Sequence, residues 1–186
     1  MIVVAGKNNI AVRAADYLIR NNFDDIAVVC NQTDNGVDGW QRSLHNFARK
    51  NNVRVIDLHQ AYQISDVFIS LEFVKIVKPK LFKNASLFNI HFSDLPKYKG
   101  IYTSFHPILN EEESSGVTLH EMDSGIDTGD IVNQIIFPIQ STYRARDLYR
   151  EYLENSYRLF VKNIKPILQE NITKKPQDWR SSSYYS

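Results

Sequence analysis

The sequence predicts an α/β fold built around a mainly parallel sheet. Up to about residue 90, short apolar runs typical of strands alternate with segments whose apolar residues recur at helical spacing. Beyond Gly116, two apolar runs follow one another without a helix between them, which predicts antiparallel strands. Helices should cover both faces of the parallel strands, and functional groups should gather at the strands' C-terminal ends, as in Rossmann-like folds.

The parallel part of the sheet is predicted from five apolar runs. They span residues 1–6, 26–30, 53–56, 66–70 and 86–90. A first helix is indicated by apolar residues spaced three and four apart: Ile10, Ala11, Ala14, Ala15, Leu18 and Ile19. A second helix is indicated in the same way by Trp40, Leu44, Phe47 and Ala48.

The antiparallel strands after residue 116 are expected at 117–122 and 131–137, and a long C-terminal helix at 144–169. Its apolar side is formed by Tyr149, Tyr152, Leu153, Phe160, Ile164, Ile167 and Leu168. Pro166 should kink or loosen the last turn. We expect one domain over 1–170, followed by a polar tail, 171–186, without a core of its own. That tail could also be the start of a short or truncated C-terminal extension.

Composition excludes several classes of protein. The chain has 186 residues, 43% of them hydrophobic and 23% charged, which suits one well-buried core. A formal net charge of +1 provides no whole-protein field for nucleic acid or a membrane. The sequence also lacks an apolar stretch long enough to cross a bilayer, and it begins with a strand-like run rather than the charged and then apolar segments of a signal peptide. The cytoplasm is therefore the expected compartment. Cys30, the single cysteine, is expected to be buried in a strand and leaves no intrachain disulfide.

Three polar residues suit acyl transfer. Asn89 and His91 lie two apart at the end of a predicted strand and therefore point to the same side. Asp127 lies in the Gly-rich segment 123–130, which must fold back to reach them. In this arrangement His91 moves protons, Asn89 donates to an oxyanion and Asp127 orients the imidazole. Each residue also has a structural alternative: a strand-end histidine bonded to a carbonyl, a turn-capping amide and an Asx turn.

The order of these motifs resembles the formyltransferases that use N10-formyltetrahydrofolate. The matching stretches are Asn89-Ile-His91, then 95–100 (Leu-Pro-Lys-Tyr-Lys-Gly), 116–120 (Gly-Val-Thr-Leu-His) and 123–130. The resemblance implies that Asn89, His91 and Asp127 form the catalytic triad. It also implies a folate co-substrate whose pterin is lined by Phe73, Val74, Lys75, Ile76 and Val77, with Asp123 as a further cofactor contact. Phe92 departs from the pattern, since many relatives have proline there.

A metal centre is not expected. His106 and His120 could join His91 and Asp127 in a zinc site, but no histidine pair has the spacing of a metal-binding motif. His120 matches a family histidine that is expected to support the site.

The motifs that indicate formyl transfer do not identify the acceptor of the formyl group. Within the resemblance, the segment 6–9 and the Leu-Pro-Lys-Tyr-Lys-Gly stretch are more similar to enzymes acting on dTDP-linked amino sugars. The expected acceptor is therefore a dTDP-linked amino-dideoxy sugar such as dTDP-4-amino-4,6-dideoxyglucose, used for cell-surface polysaccharide such as the O-antigen of lipopolysaccharide. Acceptor contacts are expected from a set of polar and aromatic residues: Lys7, Asn9, Tyr98, Lys99, Tyr102, Trp179 and Arg180. Trp179 could stack on the base or could anchor the tail.

Other functions stay open to different degrees. Glycinamide ribonucleotide is a competing acceptor, because the enzymes that use it have nearly this length. A silent folate or sugar-nucleotide binding module could share the fold. A nicotinamide dehydrogenase is disfavoured, since the first strand is not followed by a GxGxxG pattern. Initiator tRNA is disfavoured as the acceptor, since the family resemblance implies a longer chain for that reaction and the sequence has no basic surplus. A homodimer is the expected assembly.

Overall fold

The computed structural model describes all 186 residues, which form two compact units, 1–88 and 89–186. The predicted fold class is confirmed: parallel strands alternate with helices, antiparallel strands follow residue 116, and a long helix lies near the C-terminus. No helix has both the length and the apolar composition that crossing a membrane requires.

The first unit contains a parallel sheet. Its strands are β1 (Ile2–Gly6), β2 (Ile26–Cys30), β3 (Arg54–Val55) and β4 (Val67–Leu71), in the order β3-β2-β1-β4. All residues of β1 and β4 are buried, as expected for parallel strands covered by other elements. In register, Gly6 lies between Cys30 on β2 and Leu71 on β4.

Three helices accompany these strands: α1 (Asn8–Arg20), α2 (Leu44–Lys50) and α3 (Leu58–Ile64), with a short 3₁₀ turn at Pro79–Leu81. The predicted apolar stripe of α1 is buried, including Ile10, Ala14 and Leu18. α1 therefore packs by the amphipathic pattern seen in the sequence.

The second helix begins later in the chain than the apolar pattern predicts. The structure begins α2 at Leu44, because the hydroxyl of Ser43 caps it by accepting from the N–H of Asn46. Trp40 therefore does not line this helix, and its side chain is 63% exposed. Cys30, expected to be buried, is half-buried.

The second unit begins within β5 (Ser86–His91), which carries Asn89 and His91. β6 (Lys99–Gly100) and α4 (His106–Leu109) follow, then β7 (Ser114–Glu121) and β8 (Ile131–Pro138) as an antiparallel pair. α5 (Ala145–Leu168) packs against β7 and β8, and it continues through Pro166. Phe92, the departure from the family pattern, is buried and stacks on Tyr152 of α5, with ring centroids 5.3 Å apart.

The tail is attached to this second unit. Ile131 at the start of β8 pairs with Lys175, and a 3₁₀ turn spans Trp179–Ser181. The last strand, β9 (Tyr184–Tyr185), pairs in parallel with β6. The tail does not form a core of its own, but it completes a second small sheet beside the segment that precedes α4.

The contact between β1 and β4 leaves no room for a side chain at Gly6. A Cβ there would lie 2.0 Å from the carbonyl oxygen of Leu71, which is fixed in the sheet. We expect Gly6→Ala to lower the free energy of unfolding by about 1–3 kcal/mol through overpacking, measured by urea denaturation. Gly39→Ala is the matched control, because its Cβ would meet its nearest neighbour only at 4.0 Å. Equal stabilities of the two variants would contradict this account of the strand contact.

Candidate active site

Asp127 lies at the tip of the loop between β7 and β8. Its backbone has the left-handed conformation, with φ +53°, which aspartate tolerates better than most residues. Asp123 shapes this loop, since its Oδ1 accepts from the N–H of Gly125 at 3.0 Å and from the hydroxyl of Thr128. The structure thus gives Asp123 a structural role, and its predicted contact with the cofactor stays a prediction.

The carboxylate of Asp127 is the meeting point of four groups. Its Oδ2 accepts from the N–H of Gly100 at 2.9 Å and lies 3.5 Å from Nδ1 of His91. Its Oδ1 accepts from Nδ2 of Asn89 at 3.3 Å and lies 3.5 Å from Nε2 of His120. The side chain is only 11% exposed. The structure therefore brings the predicted Asn89, His91 and Asp127 together within the second unit.

His91 is held between two oxygen acceptors. Its Nε2 lies 2.7 Å from the carbonyl oxygen of Tyr98, which can only accept, so this nitrogen carries the proton. Its Nδ1 faces the carboxylate of Asp127 and can donate to it only when that nitrogen is protonated as well. The ring can therefore donate a hydrogen bond within the site from Nε2, and from Nδ1 also in its charged form.

The side chain of Asn89 is held in place by two groups that face its amide nitrogen. Its Nδ2 contacts Oδ1 of Asp127 and lies 3.2 Å from Nε2 of His120. His120 donates from Nδ1 to the carbonyl oxygen of Glu121 at 2.6 Å, so its Nε2 accepts from Asn89 when the ring is neutral. When the ring is charged, Nε2 donates to Asp127 instead. Both hydrogens of the Asn89 amide thus have partners, and donation to an oxyanion requires the release of one.

The surroundings of Asp127 favour its charged form. Burial is the largest influence and by itself would raise the pKa of Asp127. The charge of His91, the hydrogen bond and charge of His120, and the N–H of Gly100 together outweigh it and hold the pKa well below its usual range. A carboxylate, two imidazoles and an amide can thus move protons and donate to an oxygen that gains negative charge, as acyl transfer requires.

Sequence reasoning missed the part that the tail plays here. The buried side chain of Gln177 donates from Nε2 to the carbonyl oxygens of Asp127 and Gly129, at 2.9 and 2.7 Å. Ser183 binds the chain at the start of β6: its hydroxyl accepts from the backbone N–H of Tyr98 at 2.8 Å, and its carbonyl accepts from the backbone N–H of Lys99 at 2.9 Å. The tail thus holds both segments that contact the carboxylate of Asp127. A polar tail without periodicity contains no sequence signal for these contacts.

The predicted cofactor segment follows β4 in the first unit. Val74 and Ile76 are 58% and 76% exposed, Lys75 is also exposed, and Val77 is buried. The N–H of Val74 donates to Oδ1 of Asn31 at 3.0 Å, and Phe73 contacts the ring of Phe68. Packing therefore explains Phe73 and Val77 but not the exposed residues between them, and contact with a pterin stays a prediction.

Two of the predicted acceptor residues lie in the first unit. Lys7 lines a polar cavity of about 110 Å³ beside Asp34, Gln41 and Arg42. The side chain of Asn9 accepts from the backbone N–H of Arg42 at 3.0 Å, and its own N–H donates to Gln41. Asn9 thus joins the first turn of α1 to the loop that precedes α2, whereas Lys7 lines the cavity.

The other predicted acceptor residues lie in the second unit. Tyr98 is buried, stacks on Tyr185 and donates its hydroxyl to Glu112 at 2.6 Å, so its carbonyl, not its side chain, faces the site. Burial together with this hydrogen bond raises the pKa of Tyr98 to about 12. Tyr102 and Trp179 are 66% and 61% exposed, as a contact with a ligand requires.

Arg180 and Lys99 differ sharply in burial. The side chain of Arg180 is 95% exposed and lies 3.9 Å from Asp178. Lys99 is only 3% exposed, and its Nζ lies 4.1 Å from the centre of the Trp179 ring.

No group of three or more His, Cys, Asp and Glu side chains in the structure is placed to hold a metal ion.

Comparison with known proteins gives a consistent result. A family model described as formyl transferase matches residues 2–164. The structure of WlaRD, a sugar 3N-formyl transferase, in the presence of dTDP and 5-N-formyl-THF is 48% identical, with a TM-score of 0.97, over 100% of this chain and 69% of that one. An N-formyltransferase from Helicobacter canadensis, in complex with folinic acid and dTDP-3-aminofucose, is 51% identical, also with a TM-score of 0.97, over 100% of this chain and 70% of that one.

Among curated proteins, the bifunctional polymyxin resistance protein ArnA of Wigglesworthia glossinidia brevipalpis is 31% identical over 137 residues, or 73% of this chain and 21% of that protein. The chain spans between about a fifth and a third of the length of the curated relatives that it matches first.

The low pKa of Asp127 predicts a pH-dependent contribution to stability. Because the folded pKa lies below the unfolded value of about 3.9, the contribution is present above that pH and is lost as pH falls through the folded pKa. Asp127→Asn should lower the free energy of unfolding by about 1–3 kcal/mol at pH 7. The difference from the parent should shrink below about pH 4. Denaturant titrations from pH 7 to 2 measure it, and parallel pH curves for the two proteins would disprove the assignment.

Gln177 should control the mobility of the Asp127 loop. In Gln177→Met the carbonyls of Asp127 and Gly129 lose a donor, so the loop should open more often. We expect amide hydrogen exchange of Gly100, whose N–H binds Asp127, to rise about tenfold, which corresponds to roughly 1.4 kcal/mol. Gln140→Met, at an exposed glutamine, is the control. Unchanged protection of Gly100 would show that the tail does not hold the loop.

Proposed function

The chain belongs to the formyl transferase family, and we propose that it transfers a formyl group from N10-formyltetrahydrofolate to the amine of a dTDP-linked amino-dideoxy sugar. The observation that carries the proposal is the convergence of Asn89, His91 and His120 on the buried carboxylate of Asp127. The similarity to sugar N-formyltransferases, which extends over the whole of this chain and about 70% of theirs, supports the choice of donor and acceptor.

The reaction needs a charge-stabilising site more than a strong nucleophile in the protein. The acceptor amine attacks the formyl carbon, a new C–N bond forms, and the carbonyl oxygen becomes negative. The bond from that carbon to N10 of the folate then breaks. The amine loses one proton in the process and N10 gains one, so the site must relay a proton and stabilise an oxyanion.

His91 and Asn89 are the proposed oxyanion donors. Under the proposal, Nε2 of His91 exchanges the carbonyl of Tyr98 for the developing oxyanion, and Asn89 turns one N–H away from His120. The amide oxygen of Asn89 takes no part, since it is the amide nitrogen that faces Asp127 and donates to it. Asp127 keeps both groups oriented, balances the charge of His91 and helps to organise the proton relay between the amine and N10.

The position of the amine is best supported at C3 of the sugar. The two solved structures described above, at 48% and 51% identity, are of a sugar 3N-formyl transferase and of a complex with dTDP-3-aminofucose. We therefore replace the 4-amino sugar suggested by the sequence with a 3-amino-3,6-dideoxy sugar. The product would serve cell-surface polysaccharide synthesis, such as that of the O-antigen of lipopolysaccharide.

The oligomeric state of the enzyme and its cellular compartment are part of the same proposal. We propose a homodimer in the cytoplasm, in which the tail 171–186 is part of the catalytic domain formed with 1–170. Its contacts to Asp127 and to the segment before β6 support this organisation. Light scattering after size-exclusion chromatography tests the dimer.

A product assay tests the proposed reaction. The protein is incubated with N10-formyltetrahydrofolate and a panel of acceptors, and the formylated product is identified by mass. The panel contains dTDP-linked 3-amino and 4-amino sugars, their UDP and GDP counterparts, and glycinamide ribonucleotide. We expect the dTDP-linked 3-amino sugar to react fastest. Formylation of glycinamide ribonucleotide alone would favour an enzyme of purine synthesis, and binding without any turnover would favour a silent module.

Variants of the triad should fold and lose turnover. We expect His91→Asn, Asp127→Ala and Asn89→Ala each to lower kcat by at least about 10²-fold, the scale of a positioned acid–base group or an oxyanion donor. His59→Asn is the control, because His59 is exposed on α3. Circular dichroism checks the fold of each variant. A change in KM alone for Asn89→Ala would make Asn89 a binding residue, and normal turnover in the other two variants would remove the triad assignment.

A further inference from the structure

The ammonium group of Lys99 is buried without a hydrogen-bond partner. Lys99 is 3% exposed, and its Nζ makes no hydrogen bond. Its Nζ lies against the face of the Trp179 ring, 4.1 Å from the ring centre. A lysine ammonium has three donors, and a cation–π contact uses none of them as a hydrogen bond. This group is therefore incompletely satisfied in the structure.

Such an arrangement is unfavourable unless a ligand completes it. Burial lowers the pKa of Lys99, and the charges of Asp127 and Asp123 oppose that effect without pairing with the ammonium. The cation–π contact offsets only part of the loss of hydration. An anion that reached Nζ would supply charge-assisted hydrogen bonds in a site shielded from water.

The position of Lys99 links it to the reaction site. The next residue, Gly100, donates its N–H to the carboxylate of Asp127. The group that covers Lys99 is the 61% exposed side chain of Trp179, which belongs to a short 3₁₀ turn of the tail. Among nearby cations, Lys174 is paired with Glu121 and Arg180 extends into solvent. Lys99 is thus a cation that lies beside the site and has no hydrogen-bond partner for its ammonium group.

We propose that Lys99 binds the diphosphate of the acceptor and that the indole of Trp179 covers its ammonium until the acceptor arrives. The inference rests on the proposed function, which supplies an acceptor with a diphosphate. On binding, the indole moves off Nζ, the ammonium donates to phosphate oxygens, and the ring becomes available to stack on the base.

Binding measurements test the anion site with three probes: dTDP, inorganic pyrophosphate and thymidine. In Lys99→Met we expect at least about tenfold weaker binding of dTDP and pyrophosphate by calorimetry, whereas thymidine, without phosphates, should bind both proteins equally. The same variant should melt at a higher temperature than the parent, because an apolar side chain replaces an unsatisfied buried ammonium. A purely structural lysine would give the opposite change in stability. Lys97→Met, an exposed lysine of the same segment, is the matched control and should bind dTDP as the parent does.

Two further readouts keep the proposal falsifiable if Lys99→Met folds poorly. Lys99→Arg retains the charge and should bind dTDP more tightly than Lys99→Gln. In a Trp40→Phe background, pyrophosphate should change the fluorescence of Trp179 as the indole leaves the ammonium. Equal binding by the charged and neutral variants, or no pyrophosphate binding by the parent, would overturn the anion site. Unchanged fluorescence at saturating pyrophosphate would refute the proposal that the indole of Trp179 covers the ammonium and moves when the anion binds.

The acceptor assay separates this inference from the proposed function. If the parent formylates a dTDP-linked amino sugar and Lys99→Met does so with an unchanged KM for the acceptor, the inference alone fails. If the parent formylates no such sugar but binds pyrophosphate through Lys99, the proposed acceptor fails and the anion site remains. An acceptor KM raised at least about tenfold in Lys99→Met, with the folate KM unchanged, supports both.

Discussion

The buried carboxylate of Asp127 is the interaction on which the rest of the site depends. It is surrounded by His91, His120, the amide of Asn89 and the N–H of Gly100, and these groups more than offset the effect of burial on its pKa. Removing one charge from such a cluster leaves several donors without an acceptor. One side chain on a loop therefore helps to orient both proposed oxyanion donors and the segment that contains Lys99.

The loop itself is kept in place by contacts from two directions. Within the loop, the carboxylate of Asp123 accepts from the N–H of Gly125. From the tail, the side chain of Gln177 donates to the carbonyls of Asp127 and Gly129. The left-handed backbone of Asp127 is maintained by these flanking bonds, which also aim its side chain at β5. The tail thus contributes to the precision of the site although it provides none of the triad residues.

The sequence was informative where the determinants are local and less so elsewhere. Asn89 and His91 follow from strand periodicity, and Asp127 follows from its glycine-rich loop and from family resemblance. Helix α3 was missed although Asp57 and Gln60 form a capping box that the sequence displays. The pairing of β9 with β6 and the contact of Gln177 with Asp127 join residues far apart in the chain, and no composition or period marks them. The error at Trp40 has a local cause instead, because the helix begins at the cap formed by Ser43 and not at an apolar residue that falls at helical spacing.

The placement of protons around Asp127 is the central claim, and ¹⁵N-edited NMR of the histidine ring N–H groups tests it most directly. The account predicts a protected proton on Nε2 of His91, bonded to the carbonyl of Tyr98, and one on Nδ1 of His120, bonded to the carbonyl of Glu121. In Asp127→Asn the His91 signal should broaden, whereas the His120 signal should persist because its acceptor is the adjacent backbone. A His91 ring protonated only on Nδ1, or both signals unchanged in the variant, would contradict the view that Asp127 organises the site.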